Sequence, residues 1–213
     1  MILELPASSL ELKKGFKSKL RNQIQRPVNE GMEAQIGGCE LIDHFYDVFC
    51  TNMRDLGSPV HSKKIIMNVM HHFEETARII VVFKGDKAVA GSVIIGYKDM
   101  VENPWASSLR EYSRMSPNML LYWHMLEYAC DHGYSRFNFG RSTEGEGTYK
   151  FKMQWGADPY PLHWQRLSLN KQRAVTGNPS NNNGFEKAIA VWKKLPVSLT
   201  RIIGPWIRKH IDL

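Results

Sequence analysis

The stretch Arg136–Trp164 reads RFNFGRSTEGEGTYKFKMQWGADPYPLHW. Its first residues, Arg136–Phe139, alternate polar and aromatic side chains, which is typical of a half-buried strand. Gly140 ends this strand, because a residue without a side chain permits a sharp turn. A glycine-containing loop follows, and Thr148 is predicted to supply the N-cap oxygen of a short helix that Gly156 closes. Strand, glycine loop and helix start together predict a site for an anion.

The loop and the helix of this stretch supply most of the candidate site residues. Phe151 and Trp155 share one helix face and are predicted to pack inward, which directs Lys152 toward Thr148 and the contents of the loop. Lys150 and Lys152 oppose the helix dipole near its start, so an anionic ligand would offset their charge. A solvated surface helix is an equally good interpretation of two lysines on a short helix. The residues predicted to bind substrate are Arg141, Ser142, Gly145, Gly147, Lys150, Phe151 and Trp155.

The composition is that of a basic globular protein. The 213 residues are 43% hydrophobic, which is enough to bury a core without disulfides or metal. The three cysteines are widely spaced and odd in number, which predicts reduced thiols and a cytoplasmic protein. No stretch approaches the about 20 apolar residues of a membrane span, and the N-terminus lacks a signal-peptide pattern. A formal net charge of +7 favours acidic partners such as nucleotides, nucleic acid or anionic lipid.

Residues 1–31 form a basic N-terminal segment, with apolar residues at four-residue spacing before Pro27. This pattern predicts an amphipathic helix. The preferred interpretation is a helix that packs on the core with its charges in solvent, and the alternative is a dedicated binding helix.

Residues 32–169 carry the signals of a mixed sheet with helices on its faces. A short strand and two helices precede an antiparallel hairpin, Ile79–Phe83 with Val89–Tyr97, and a third strand follows the hairpin. A long helix begins at Pro117 and leads to the Arg136 strand, and Leu162–Leu169 alternates as a final strand. This order predicts an α/β or α+β domain.

A linker and a tail are predicted after this domain. Residues 170–184 are polar and include three consecutive asparagines, which is typical of a linker. Residues 185–213 place apolar residues at helical spacing on both sides of Pro196, among tryptophans and basic residues, which predicts two amphipathic helices. Docking of their apolar face on the domain, or on a partner domain, is the preferred interpretation. Peripheral contact with an anionic membrane at its inner, cytoplasmic surface is the alternative.

Three stretches of the chain resemble the FemAB-like acyltransferases, whose members have the acyl-CoA N-acyltransferase (GNAT) fold. They are PVHSK at Pro59–Lys63, SPNMLLYW at Ser116–Trp123 and FNFGRSTEGEGTYKFKMQWG at Phe137–Gly156. The resemblance covers about Leu10–Leu169 and is greatest to the branch associated with PEP-CTERM and exopolysaccharide gene clusters. Members commonly hold two such domains, so the resemblance implies that this chain supplies the second, as a truncated form, a single-domain variant, or a protein that borrows a partner domain or another copy.

The resemblance implies transfer of an acyl group from an activated ester or thioester to an amine. Lys152 matches the lysine of the family's F-K pair, which implies that it stabilises the oxyanion or a donor phosphate. Phe151 would then shape the pocket and Arg141 would bind phosphate. Tyr149 is a candidate proton relay to the leaving group, with a buried structural tyrosine as the alternative. His61 is a candidate base, with an ordinary loop histidine as the alternative.

The implied donor is acyl-CoA or aminoacyl-tRNA, used as a co-substrate rather than held as a cofactor. Acyl-CoA users of this fold usually bind pyrophosphate with an R/Q-x-x-G-x-G/A loop, whereas RSTEGEG is one residue longer and comes late in the strand order. The basic charge suits tRNA equally. The implied acceptor is an amine on a small molecule or on a glycan or peptidoglycan-type precursor. Scattered histidines without ligand spacing predict no metal site. The alternative function is a non-catalytic module that binds an anionic ligand or a partner.

Overall fold

Six strands form one mixed sheet in the computed structural model, which describes residues 1–163 and 183–211. In chain order they are β1 (Ile2–Glu4), β2 (Met32–Gly37), β3 (Ala77–Lys84), β4 (Lys87–Tyr97), β5 (Met100–Ser108) and β6 (Arg136–Asn138). Their spatial order is β1-β6-β5-β4-β3-β2, with β5 and β6 parallel and the other neighbours antiparallel. The predicted mixed sheet and its hairpin are therefore confirmed.

Eight α-helices lie in the described residues and flank this sheet. They are α1 (Ser9–Gly15), α2 (Ser18–Asn29), α3 (Ile42–Leu56), α4 (Lys63–His72), α5 (Pro117–Asp131), α6 (Gly147–Met153), α7 (Asn183–Trp192) and α8 (Val197–Arg208). Two short 3₁₀ helices, Cys39–Leu41 and Arg110–Met115, precede α3 and α5. The helices α1, α2 and α5 pack on one face of the sheet, α3 and α4 pack on the other, and α8 packs against α3.

The strand β3 shows why the sheet is covered on both faces. Its apolar run has no polar alternation, which is typical of a strand buried on both sides. Ile80 and Val82 enter the core beneath α1, α2 and α5, whereas Ile79 and Val81 enter the core beneath α3 and α4. All four side chains are fully buried. The helices on each face therefore protect one half of the same apolar run.

The sheet opens between β5 and β6. Parallel pairing joins Met100–Glu102 to Arg136–Asn138, and the rest of β5 continues along β4. Asn103 lies where β5 stops pairing with β6. Its buried amide donates to Ser92 Oγ at 2.6 Å and to the Val93 carbonyl at 2.9 Å. These bonds hold β5 on β4 at the register shift between the two strands. A gap consequently lies between the end of β5 and the segment that follows β6.

The predictions for the N-terminal segment were wrong in three details. Ile2–Glu4 is a strand paired with β6, and its short alternation was too brief to distinguish it from the helical segment. The basic helix is two helices, because Gly15 ends the first and Phe16 takes an extended conformation that buries its ring against two tryptophans. Pro27 lies inside the last part of α2 rather than after it.

The C-terminal predictions are described in part. The predicted strand Leu162–Leu169 lies outside the described residues from position 164 onward, as does the predicted linker from 170 to 182. The two predicted tail helices correspond to α7 and α8, which the Pro196 break separates. Across 1–163 and 183–211, the helices are all too short or too polar to cross a bilayer.

Candidate active site

A cavity of about 390 Å³ lies where β5 and β6 separate, and we call it the Lys152 cavity. Its walls come from α3, the end of β5, the first half of α5 and one side of α6. The polar residues of its lining are Asn52, Ser107, Ser108, Asn118, Thr148 and Lys152. The other lining residues are Leu56, Ala106, Tyr122, Gly147 and Phe151.

Lys152 supplies the positive charge of this cavity. The residue is only 7% exposed, and its Nζ donates to the carbonyl oxygen of Arg141 at 2.7 Å. None of the ion pairs among the described residues includes Lys152. Burial lowers the pKa of Lys152 to about 8, because the charged ammonium loses solvation. The side chain is still mainly protonated at neutral pH, so a poorly solvated cation lies at the cavity wall.

Polar groups from α3, β5 and α5 also line the cavity. Asn52 Nδ2 donates to Ser107 Oγ at 3.0 Å, which joins α3 to the end of β5. Asn118 is the second residue of α5, whose 15 residues begin beside the cavity. The positive end of this helix dipole adds to the potential that Lys152 creates.

The aromatic wall is rigid because its rings contact one another. The Tyr122 ring stacks on Phe139 at 5.7 Å between centroids and meets the edge of Phe151 at 4.9 Å. Burial raises the pKa of Tyr122 to about 12, so its hydroxyl stays protonated at physiological pH. Phe151 thus lines the Lys152 cavity through a fixed aromatic cluster.

A second and larger cavity, of about 810 Å³, adjoins the first at Thr148, which lines both. We call it the loop cavity, because the loop between β6 and α6 forms much of its wall. Among the predicted site residues, it is lined by Arg141, Ser142 and Tyr149. Glu144 and Glu146 line it as well, so the loop carries charges of both signs rather than a purely cationic surface.

The two loop glycines differ in conformation. Gly145 has a φ of +85°, in the left-handed region that favours glycine, whereas Gly147 is the first residue of α6. A Cβ atom at either position would have no neighbour within 4 Å. The N-cap prediction for Thr148 was wrong, because the helix begins at Gly147, and Glu146, two residues before Thr148, occupies the N-cap position.

Lys150 and Trp155 lie outside both linings. Lys150 is exposed on α6. Trp155 is only 1% exposed and packs in the core, where its ring meets Phe16 at 5.6 Å in an edge arrangement. It also lines a separate cavity of about 410 Å³ beside the start of α2. Its Nε1 has no hydrogen-bond partner among the described residues.

His61 is held by the C-terminal tail rather than by either cavity. Its Nε2 accepts a hydrogen bond from Arg208 Nε at 3.3 Å, and its ring lies between Phe49 and Trp105. Burial lowers the pKa of His61, and the charge of Arg208 lowers it further. The structure therefore does not bring His61 together with the other predicted catalytic residues. In the described part of the chain, His, Cys, Asp and Glu form no cluster that could hold a metal ion.

Comparison with known proteins agrees with this architecture. The sequence matches the acetyltransferase (GNAT) domain family over residues 15–153, which is more than half of its length. The chain belongs to the GNAT acetyltransferase family. No curated protein sequence matches it.

Solved structures confirm the predicted fold. FemX superposes with a TM-score of 0.63 at 15% identity, over 73% of this chain and 57% of FemX. L-PGS from Bacillus licheniformis gives a TM-score of 0.54 at 14% identity, over 73% of this chain and 55% of that protein. AAC(6')-Iy, solved with the bisubstrate analogue CoA-S-monomethyl-acetylneamine, gives a TM-score of 0.52 at 11% identity, over 64% of this chain and 98% of that protein. The chain thus spans little more than half the length of FemX and L-PGS.

Several cavity residues had no predicted role. Asn118 and Tyr122 belong to the Ser116–Trp123 stretch that carries the family resemblance, and this was a usable signal. Asn52 and Ser107 are 55 residues apart in the chain and meet only through the packing of α3 on β5. Periodicity offers no signal for a contact of that kind.

Proposed function

We propose that this protein is an N-acyltransferase of the FemAB-like type, which transfers an acyl or aminoacyl group to a primary amine. The observation that carries the proposal is the buried Lys152 ammonium at the wall of a polar cavity. When an amine attacks a carbonyl, the carbonyl oxygen becomes an oxyanion. A cation that is already in position and poorly solvated stabilises this charge without further reorganisation.

The reaction can be assigned in steps to the groups around the cavity. The neutral amine attacks the donor carbonyl and forms the new C–N bond, and the negative charge on oxygen faces Lys152. Collapse of this intermediate breaks the bond to the leaving group, which takes up the proton that the amine loses. Lys152 is a poor base at neutral pH, because a pKa of about 8 leaves it mainly protonated. Tyr149, in the adjoining loop cavity, is our candidate for the proton relay.

The donor that we propose is an acyl-CoA, with its thioester in the Lys152 cavity and its phosphates near Arg141 in the loop cavity. Support comes from membership of an acetyltransferase family and from the contact of the two cavities at Thr148. The acceptor that the FemAB resemblance favours is an amine on a glycan or peptidoglycan-type precursor. With such an acceptor, the enzyme acts in cell-envelope or exopolysaccharide biosynthesis.

Donor binding is the direct test of this proposal. A ligand that binds the folded state at a hundredfold excess over its Kd stabilises the protein by about 2.7 kcal/mol. Such a gain raises the melting temperature of a chain of this size by several degrees. We expect this rise with acetyl-CoA or a longer acyl-CoA, and not with aminoacyl-tRNA.

Two glycine variants locate the bound donor. Gly147→Val places a side chain in the lining of the Lys152 cavity, whereas Gly15→Val adds the same group at the end of α1. Both positions are open, so both variants should fold. Only Gly147→Val should weaken acyl-CoA binding. If only aminoacyl-tRNA raises the melting temperature, the donor is tRNA-bound and not acyl-CoA. If acyl-CoA binds but mass spectrometry detects no acylated amine, the alternative function, a non-catalytic module, is favoured.

A further inference from the structure

The helix α8 turns large apolar side chains toward solvent. Leu199 is 42% exposed, and Ile202 and Trp206 are each 68% exposed. Their spacing of three and four residues places them along one side of the helix, which we call the outer stripe. Ile207, 40% exposed, lies beside it.

The opposite side of α8 contacts the domain. Its residues are small or polar apart from Val197, which packs on the core beneath α3 and α4. A Cβ atom on Gly204 would lie 3.1 Å from Val60, so the helix backbone approaches the Val60 loop closely. Arg201 pairs with Asp47 on α3, and Thr200 is 2% exposed. An amphipathic helix normally buries its apolar face. Here the face toward the domain is held by Val197, by close backbone packing and by the Arg201–Asp47 ion pair, and the larger apolar stripe is left outside.

The segment that carries the outer stripe has charged residues of one sign. From Val191 to Lys209 the chain contains no Asp or Glu and five basic residues: Lys193, Lys194, Arg201, Arg208 and Lys209. Of these, Lys193, Lys194 and Lys209 are exposed. Lys209 Nζ lies 4.4 Å from the centre of the Trp206 ring. Tryptophan and lysine side by side are favoured at the boundary between lipid headgroups and acyl chains.

We infer that the outer stripe of α8 docks on an anionic lipid membrane. The apolar side chains enter the boundary of the acyl region, and the exposed lysines contact the phosphate headgroups. The absence of acidic residues from this segment favours a uniformly negative surface over a protein surface of mixed charge. The helix would lie on the membrane without crossing it.

Membrane docking also has a consequence for the Lys152 cavity, and this step rests on the proposed function. The outer helix α8 packs on α3, and α3 contributes Asn52 to the cavity wall. Docking through α8 therefore holds the cavity close to the membrane surface. An acceptor amine carried on a lipid could then reach the cavity more readily than a soluble amine.

Vesicle sedimentation of the full chain tests the docking itself. We expect the protein to pellet with vesicles of phosphatidylglycerol and phosphatidylcholine in equal amounts, and to pellet far less with phosphatidylcholine alone. Raising the salt shortens the Debye length from about 10 Å at 0.1 M to about 3 Å at 1 M, so binding should fall steeply. Each of Lys193, Lys194 and Lys209 changed to Gln should lower the partition coefficient about fivefold.

A matched pair of double variants tests the outer stripe. Ile202→Glu with Trp206→Glu should lower the partition coefficient at least tenfold. Leu10→Glu with Tyr97→Glu is the control, because Leu10 is 71% and Tyr97 is 68% exposed on other surfaces. The control should bind vesicles as the wild type does. Circular dichroism should show that both double variants are folded.

Three results would overturn the inference. The wild-type chain could remain in the supernatant with both kinds of vesicle, or the two double variants could lose binding equally. As a third result, the wild type could fail to bind vesicles but form a dimer in sedimentation velocity that the stripe variant does not form. The stripe would then be a protein–protein contact. Acylation of a water-soluble amine without vesicles is a separate measurement, so failure of the enzyme proposal leaves the vesicle result standing.

Discussion

The Lys152 cavity and the outer stripe of α8 place cations and aromatic rings in opposite environments. Lys152 is buried, and its pKa is lowered by the loss of solvent. Lys209 is exposed beside a Trp206 ring that is itself 68% exposed. A buried cation acts through its position and is weakly screened, whereas exposed cations act through their number and are screened by salt. The first environment suits catalysis on one bond, and the second suits adhesion to a charged surface.

The largest expected difference between the two regions concerns stability. Trp155→Ala should lower the free energy of unfolding by about 3–5 kcal/mol, because the ring is 1% exposed within the core. Trp206→Ala should change it by less than about 0.5 kcal/mol, because most of that ring is in solvent. Urea unfolding of both variants measures the difference. Equal losses would show that Trp206 is buried in solution, which would contradict an exposed outer stripe.

The next effect concerns turnover. Lys152→Met keeps an unbranched side chain, one atom shorter, and removes the charge. It should lower kcat about a hundredfold or more with acyl-CoA and an amine acceptor. Lys150→Met removes the same charge from an exposed position of the same helix, and its loss should be much smaller. Unchanged turnover in Lys152→Met would remove this residue from the mechanism. Equal losses in both variants would point to the net charge of the helix instead.

The smallest effect is a pH dependence of stability. The folded pKa of Lys152, about 8, lies below its ordinary value of 10.5. Between these values the unfolded chain binds more protons than the folded chain, so the free energy of unfolding rises with pH. Relative to Lys152→Met, the wild type should gain on the order of 1 kcal/mol or more between pH 8 and 10.5. Parallel stability curves for the two proteins over this range would show a fully solvated lysine.

Local signals explain which elements could be predicted. The hairpin of β3 and β4 has two β-branched runs around a glycine turn, and α5 has a proline at its first position. The Phe151-Lys152 pair follows a strand and a glycine loop and lies in the stretch that carries the family resemblance. The failures arise where no local signal exists. The break at Phe16 depends on where that ring is buried, and the Glu146 N-cap makes no side-chain hydrogen bond that a pattern could indicate.

Sequence alone was sufficient for the order of strands and helices from β2 to α6, because turn residues and apolar periods act over a few neighbours. Lys152 became a candidate through the family resemblance. Only the tertiary structure shows that β5 leaves β6 after Glu102, and that Asn52 and Ser107 meet beside Lys152. It also shows that the apolar stripe of α8 points outward. A periodic pattern marks which side of an element is apolar, but the surface that covers this side is chosen by packing between distant segments.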